Sequence, residues 1–242
     1  MKITYSSFSI QGRERQSQDC ILEPLEGTLG SWCAIADGVC GRPDGDKASA
    51  LAVDTVQSHA KAAEQTSMQD VFSKVVEEFD KEGLGSDHPK AMATTLSVVQ
   101  LNDRLAHVGH VGDTRVYHLR NEGILRRTKD QTEVQDLLDR GVINKRQAAR
   151  YQRKNVLTGF ISSGKDPTVF ETEFQIETGD RLILLTDGVY GVVTMREIRD
   201  ISVVTNTVSE FTEKLKAAVE SAGVIDDYSA LVVGIDLRLV QW

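Results

Sequence analysis

A chain of 242 residues with 40% hydrophobic and 26% charged positions is long enough to bury a full core and has the composition of an ordinary globular protein. Its formal charge of -8, with no long basic stripe to offset it, argues against a nucleic-acid partner. No apolar run approaches the ~20 residues that a spanning helix needs, and Cys20, Cys33 and Cys40 are odd in number without CxxC spacing, against disulfide stapling or a zinc-thiolate site. The expectation is a cytoplasmic, monomeric protein with no membrane partner.

Residues 2–10 alternate as a strand and lack a signal-peptide core. A second, strongly buried strand, Trp32-Cys33-Ala34-Ile35-Ala36, closes on Asp37-Gly38. Over 46–65, Ala48, Leu51, Ala52, Thr55, Val56 and Ala60 follow a helical period. A second helix over 68–81 puts Val71, Val75, Val76 and Phe79 on one face, with Ser67 as N-cap and Gly83 as terminator. Strands follow at 94–101, 104–111 and 115–120, joined by Asn102-Asp103 and Gly112-Asp113-Thr114, which read as hairpin turns. Residues 129–165 are polar and helical in part. Strands return at 168–174 and 181–186, then helices at 194–200 and 208–222, then a last strand through 230–237. Paired helices and consecutive strands give an α+β class: two antiparallel sheets face to face with helix pairs outside. With no repeat or linker, residues 1–242 are expected to be a single domain.

Five aspartates carry the chemistry. Asp37 and Asp187 each close an apolar run and precede a glycine, Asp113 follows the run ending in Val111, Asp226 precedes the last strand, and Asp19 lies near the N-terminus. Strands that each deliver a carboxylate at one end bring several acids to one place. Such a cluster repels itself unless cations neutralise it, and an oxygen-only donor set suits Mg²⁺ or Mn²⁺.

These residues bring a family into view. The ordered pieces Ser17-Gln18-Asp19, Ala36-Asp37-Gly38-Val39-Cys40-Gly41, Met92-Ala93-Thr94-Thr95, Val111-Gly112-Asp113-Thr114-Arg115, Thr186-Asp187-Gly188-Val189 and Asp226-Asp227-Tyr228-Ser229 resemble those of the metal-dependent protein serine/threonine phosphatases of the PP2C (PPM) family, bacterial type. The resemblance implies an α/β/β/α sandwich and hydrolysis of phosphoserine and phosphothreonine on proteins, opposing a Ser/Thr kinase. It also implies two Mn²⁺ or Mg²⁺ ions, with Asp37 between them and ligands from the Gly38 carbonyl, Asp187 and Asp226. Asp19 would hold a metal-bound water, and Asp113 with Asp187 would form a weaker third site. Residues 129–165 occupy the position of the family's flap.

The chain departs from the pattern at several points. Glu14 stands where the family has its phosphate-gripping Arg, leaving Arg13 or Arg15 for that role, with Arg15 preferred. Arg42 replaces the His that serves relatives as a candidate general acid; His107, His110 and His118 fall in strands and read as structural, and Thr94 and Thr95 as core. Asp227 replaces an Asn and is expected to strengthen divalent binding. The basic residues of the flap read either as a solvated helix pair or as a contact for an acidic phosphoprotein. Two other functions stay open at this point: a pseudophosphatase that binds phosphoproteins, and a phosphatase of a small phosphorylated molecule.

Overall fold

The computed structural model describes residues 1–12, 17–42, 44–62, 67–83, 92–224 and 226–237. Two five-stranded antiparallel sheets lie face to face. One runs in the order β1 (Lys2–Ile10), β10 (Tyr228–Asp236), β9 (Arg181–Leu185), β6 (Arg115–Arg120), β7 (Gly123–Arg126). The other runs β2 (Asp19–Gly27), β3 (Gly30–Asp37), β4 (Leu96–Asn102), β5 (Leu105–Val111), β8 (Phe170–Gln175).

The layering follows from the period of two along each central strand. On β3, Trp32, Ala34 and Ala36 face helices α1 (Gly45–Ala62) and α2 (Met68–Gly83), while Cys33 and Ile35 face the other sheet. On β9, Ile183 and Leu185 face outward, and Leu182 and Leu184 enter the inter-sheet core. The outer cover there comes from α5 (Asp187–Tyr190), α6 (Met195–Val203) and α7 (Val208–Ser221), through Val189, Ile198, Phe211 and Leu215. A strand buried on both faces shows as a continuous apolar run, which is why β3, β9 and β10 stand out in the sequence. The result is the expected α/β/β/α sandwich.

Ser67 caps α2 as expected: its hydroxyl accepts from the Asp70 N–H at 3.1 Å, and the Asp70 carboxylate accepts from the Ser67 N–H at 3.1 Å. The helix is described through Gly83, and the residues that follow, 84–91, lie outside the described residues. One expectation fails. Gly112-Asp113-Thr114 is not a hairpin turn, because β5 pairs with β4 and β8 whereas β6 pairs with β9 and β7. The chain crosses between sheets there, with Gly112 at φ 110; a side chain at 112 would be strained in that conformation. Residues 129–165 contain two short helices, α3 (Glu133–Asp139) and α4 (Lys145–Ala148), and are tied back by bridges from Thr132 to Leu157 and from Thr94 to Ile161.

Candidate active site

Asp37 ends β3 opposite Asp19 on β2, so strand pairing alone brings two of the carboxylates together. Its backbone is fixed by the two threonines: the Asp37 N–H donates to Thr95 Oγ1 at 3.0 Å, and its carbonyl accepts from Thr94 Oγ1 at 2.9 Å and the Thr95 N–H at 2.8 Å. Both threonines are buried, as expected, but they also brace the site. Gly38 follows Asp37 because a Cβ there would lie 2.3 Å from the Gly45 carbonyl oxygen; the absence of a side chain lets the start of α1 close on this turn.

The second Asp-Gly pair works the same way. Asp187 opens α5, and a Cβ on Gly188 would lie 2.0 Å from the Asp227 carbonyl oxygen. Glycine thus lets the Asp187 turn rest on the 226–228 backbone. Thr186, at the N-cap position of α5, does not cap the helix with its side chain. Instead its hydroxyl donates to Asp19 Oδ2 at 2.9 Å and accepts from the Ser229 N–H at 3.0 Å, linking three segments. Asp113 sits on the crossover, where the Tyr190 hydroxyl donates to its carbonyl at 2.9 Å and its Oδ2 at 3.2 Å. Arg115 lies 3.6 Å over the Tyr190 ring and forks onto Asp130 at 3.1 and 2.7 Å.

Asp37, Gly38, Asp113, Asp187 and Asp226 line one cavity of about 380 Å³. Asp19 stands behind the wall. Its Oδ1 is buried without a hydrogen-bond partner among the described residues. Burial pushes the carboxyls of Asp19 and Asp113 up to about 7, and Asp187 up to about 6. Asp37 is raised well above its ordinary value, by burial first and then by repulsion from Asp19, Asp187 and Asp113. Burial outweighs the hydroxyls of Thr186 and Tyr190 that donate to Asp19 and Asp113, so the clustered charge fits hard divalent cations. No three His, Cys, Asp or Glu side chains among the described residues are arranged to hold an ion by themselves.

Asp227 also lines this cavity, so its charge is added to the site, and it has a second role. Its Oδ1 accepts from the Gly12 N–H at 2.7 Å and its Oδ2 from the Gln18 N–H at 2.8 Å, so it clasps the two flanks of residues 13–16. A carboxylate oxygen can accept more than one bond, so this clasp leaves the charge of Asp227 at the site. Arg13 and Arg15 lie outside the described residues. Arg42 lines the same cavity, with its guanidinium 4.8 Å from the Phe160 ring centroid. Tyr190 and Asp130 have no signal of their own in the sequence; Arg115, at the end of Gly112-Asp113-Thr114-Arg115, is the one local pointer to them.

The strand histidines are structural. His107 meets Glu171 and His118 meets Asp180, at 3.1 and 2.9 Å. His110 is fully buried between Ser97 Oγ at 2.8 Å and the Gly112 carbonyl at 3.0 Å, steadying the turn that carries Asp113. Burial pushes its pKa down from 6.5 to about 4. The unfolded chain therefore binds more protons between those values, and this contribution to stability is lost as pH falls through that window. Urea unfolding should show wild type losing about 2 kcal/mol more than His110→Gln between pH 7.5 and 5.

A sandwich of two sheets with carboxylates gathered at the ends of its strands defines a centre built for hard divalent cations. The chain matches the Protein phosphatase 2C family over residues 13–224. It is 30% identical over 213 residues to the serine/threonine phosphatase stp of Listeria monocytogenes serotype 4b, covering 84% of each chain. The solved structure of serine/threonine phosphatase Stp1 from Staphylococcus aureus superposes with a TM-score of 0.89 at 18% identity, over 98% of this chain and 96% of that one. The catalytic domain of the serine/threonine protein phosphatase PstP, solved with 2 manganese ions, gives a TM-score of 0.78 at 23% identity over 97% and 99% of the chains. This chain belongs to the protein phosphatase 2C family.

Proposed function

We propose that this chain hydrolyses phosphoserine and phosphothreonine on proteins, opposing a Ser/Thr kinase, with two Mn²⁺ or Mg²⁺ ions in the core site and a third at Asp113 and Asp187. The observation that carries this is the meeting of Asp37, Asp113, Asp187 and Asp226 on one cavity, with an unsatisfied Asp19 oxygen behind it. Asp37, the Gly38 carbonyl, Asp187 and Asp226 would hold the core ions. Bound there, divalent ions neutralise phosphoryl oxygens and bring the pKa of water towards neutrality.

The chain's own residues do the rest. Asp19 Oδ1, which has no partner among the described residues, would accept from a water held at the core site, and Thr186 fixes that carboxylate from its other oxygen. Arg15, with Arg13 beside it, grips the substrate phosphate; Asp227 accepts from the Gly12 and Gln18 N–H groups on either side of them in the chain. Residues 129–165 form a flap whose Asn155, Val156, Leu157 and Phe160 reach the cavity wall and shield it from water. Cys20, Cys33 and Cys40 are free thiols, which suits a cytoplasmic setting. No helix among the described residues is long and apolar enough to cross a membrane.

The test is hydrolysis of p-nitrophenyl phosphate and a phosphothreonine peptide with Mn²⁺ and with EDTA. Turnover of both substrates should require Mn²⁺ and stop in EDTA. Robust turnover in EDTA would overturn the assignment.

A further inference from the structure

Residues 140–154 carry Arg140, Lys145, Arg146, Arg150, Arg153 and Lys154 and no acidic residue, in a chain whose formal charge is -8. All six are exposed. Arg153 pairs with Glu133 at 2.7 Å, and the other five have no salt-bridge partner among the described residues. Cations at this density repel one another, yet the segment that presents them is held in shape. Asn144 and Gln147 form a capping box on α4, and the Tyr151 hydroxyl and Arg153 both bond to Glu133. At one end the strip enters the active site: Lys154 and Asn155 line a cleft of about 590 Å³ together with Asp113, Asp187 and Asp226.

We infer that this strip is a docking surface for acidic residues flanking the phosphorylated side chain of a protein substrate. The inference rests on the phosphatase reading above and adds to it the class of substrate. With the phosphorylated residue in the carboxylate-lined cavity, the substrate chain on one side runs out past Lys154 onto the cations. The pull is needed there, because the cleft wall also carries Asp113, Asp187 and Asp226, whose charges repel an acidic peptide. Exposed single charges contribute little each, but several of one sign raise encounter rates and select the partner, in a salt-dependent way.

The experiment compares two phosphothreonine peptides, identical except for acidic or basic flanks, with p-nitrophenyl phosphate as reference. At low salt the acidic peptide should have the higher kcat/KM by about tenfold, with the gap closing at high salt. Combined Lys145→Glu, Arg146→Glu and Arg150→Glu should reverse the preference when each peptide is scaled to the reference substrate. Phosphonate versions of both peptides, followed by fluorescence anisotropy, read docking without turnover and should rank in the same order. Equal kcat/KM for the two peptides, or an unchanged ratio in the triple variant, overturns the inference. So does capture of wild type by anionic vesicles or RNA with no discrimination between peptides. Discrimination between the phosphonates without hydrolysis of any substrate supports the surface and sinks the phosphatase reading.

Discussion

Asp37→Asn should lower kcat/KM on p-nitrophenyl phosphate by on the order of 10³-fold, or about 4 kcal/mol of transition-state stabilisation. In the metal-free chain the same change should raise stability by about 1–2 kcal/mol. Both effects have one cause. Asp37 faces a cavity with Asp113, Asp187 and Asp226 on its walls and Asp19 on the neighbouring strand, and burial and mutual repulsion disfavour its charge. The amide is isosteric, removes that repulsion, and can donate to the carboxylates around it. Under the proposed function it also removes the ligand that two cations would share. Wild type should therefore gain thermal stability on adding Mn²⁺, by about 3 kcal/mol at a hundredfold excess over Kd, and the variant should gain far less. Equal responses of the two proteins to Mn²⁺ in a thermal melt would show that Asp37 does not hold metal.

Much of this site was legible because its parts sit at ends of apolar runs. Asp37 and Asp187 follow strands buried on both faces, and the following glycines are needed for backbone contact, so the pattern has a steric origin. β2 was not legible. Its sequence holds Asp19, Glu23, Pro24 and Glu26, and it pairs on one side only, with a register shift between Leu22 and Leu25. Proline and a bulge are tolerated at a sheet edge, and they erase the alternation that reveals a strand. β7 is a four-residue edge strand and α5 a single turn, too short for any period to show. The crossover at Gly112 imitates a hairpin locally; only the identity of the partner strands separates the two. Tyr190 and Asp130 escaped because nothing near them in the chain points to Asp113 or Arg115. The clasp by Asp227 was hidden for the same reason: its partners, Gly12 and Gln18, lie at the other end of the chain.

Gly188→Ala should be nearly as damaging as losing a carboxylate, although it removes no functional group. The new Cβ would lie 2.0 Å from the Asp227 carbonyl oxygen, 2.9 Å from its carbon and 3.1 Å from the Tyr228 Cβ. None of these is the far end of a flexible side chain. Relief requires α5 and the 226–228 backbone to part by roughly an ångström, which carries Asp187 away from Asp226 and disturbs the hold of Asp227 on Gly12 and Gln18. Overpacking of this kind costs about 1–3 kcal/mol of stability, and a misplacement near 1 Å can cost about 10²-fold in rate. The Mn²⁺ concentration for half-maximal activity should rise as well, because Asp187 and Asp226, the ligands proposed above, would be drawn apart. Gly123→Ala is the control: its Cβ would meet only the Arg120 carbonyl oxygen, at 3.2 Å, on the edge strand β7. If Gly188→Ala kept the Mn²⁺ requirement and rate of wild type, close approach of the two loops would not be what assembles the site.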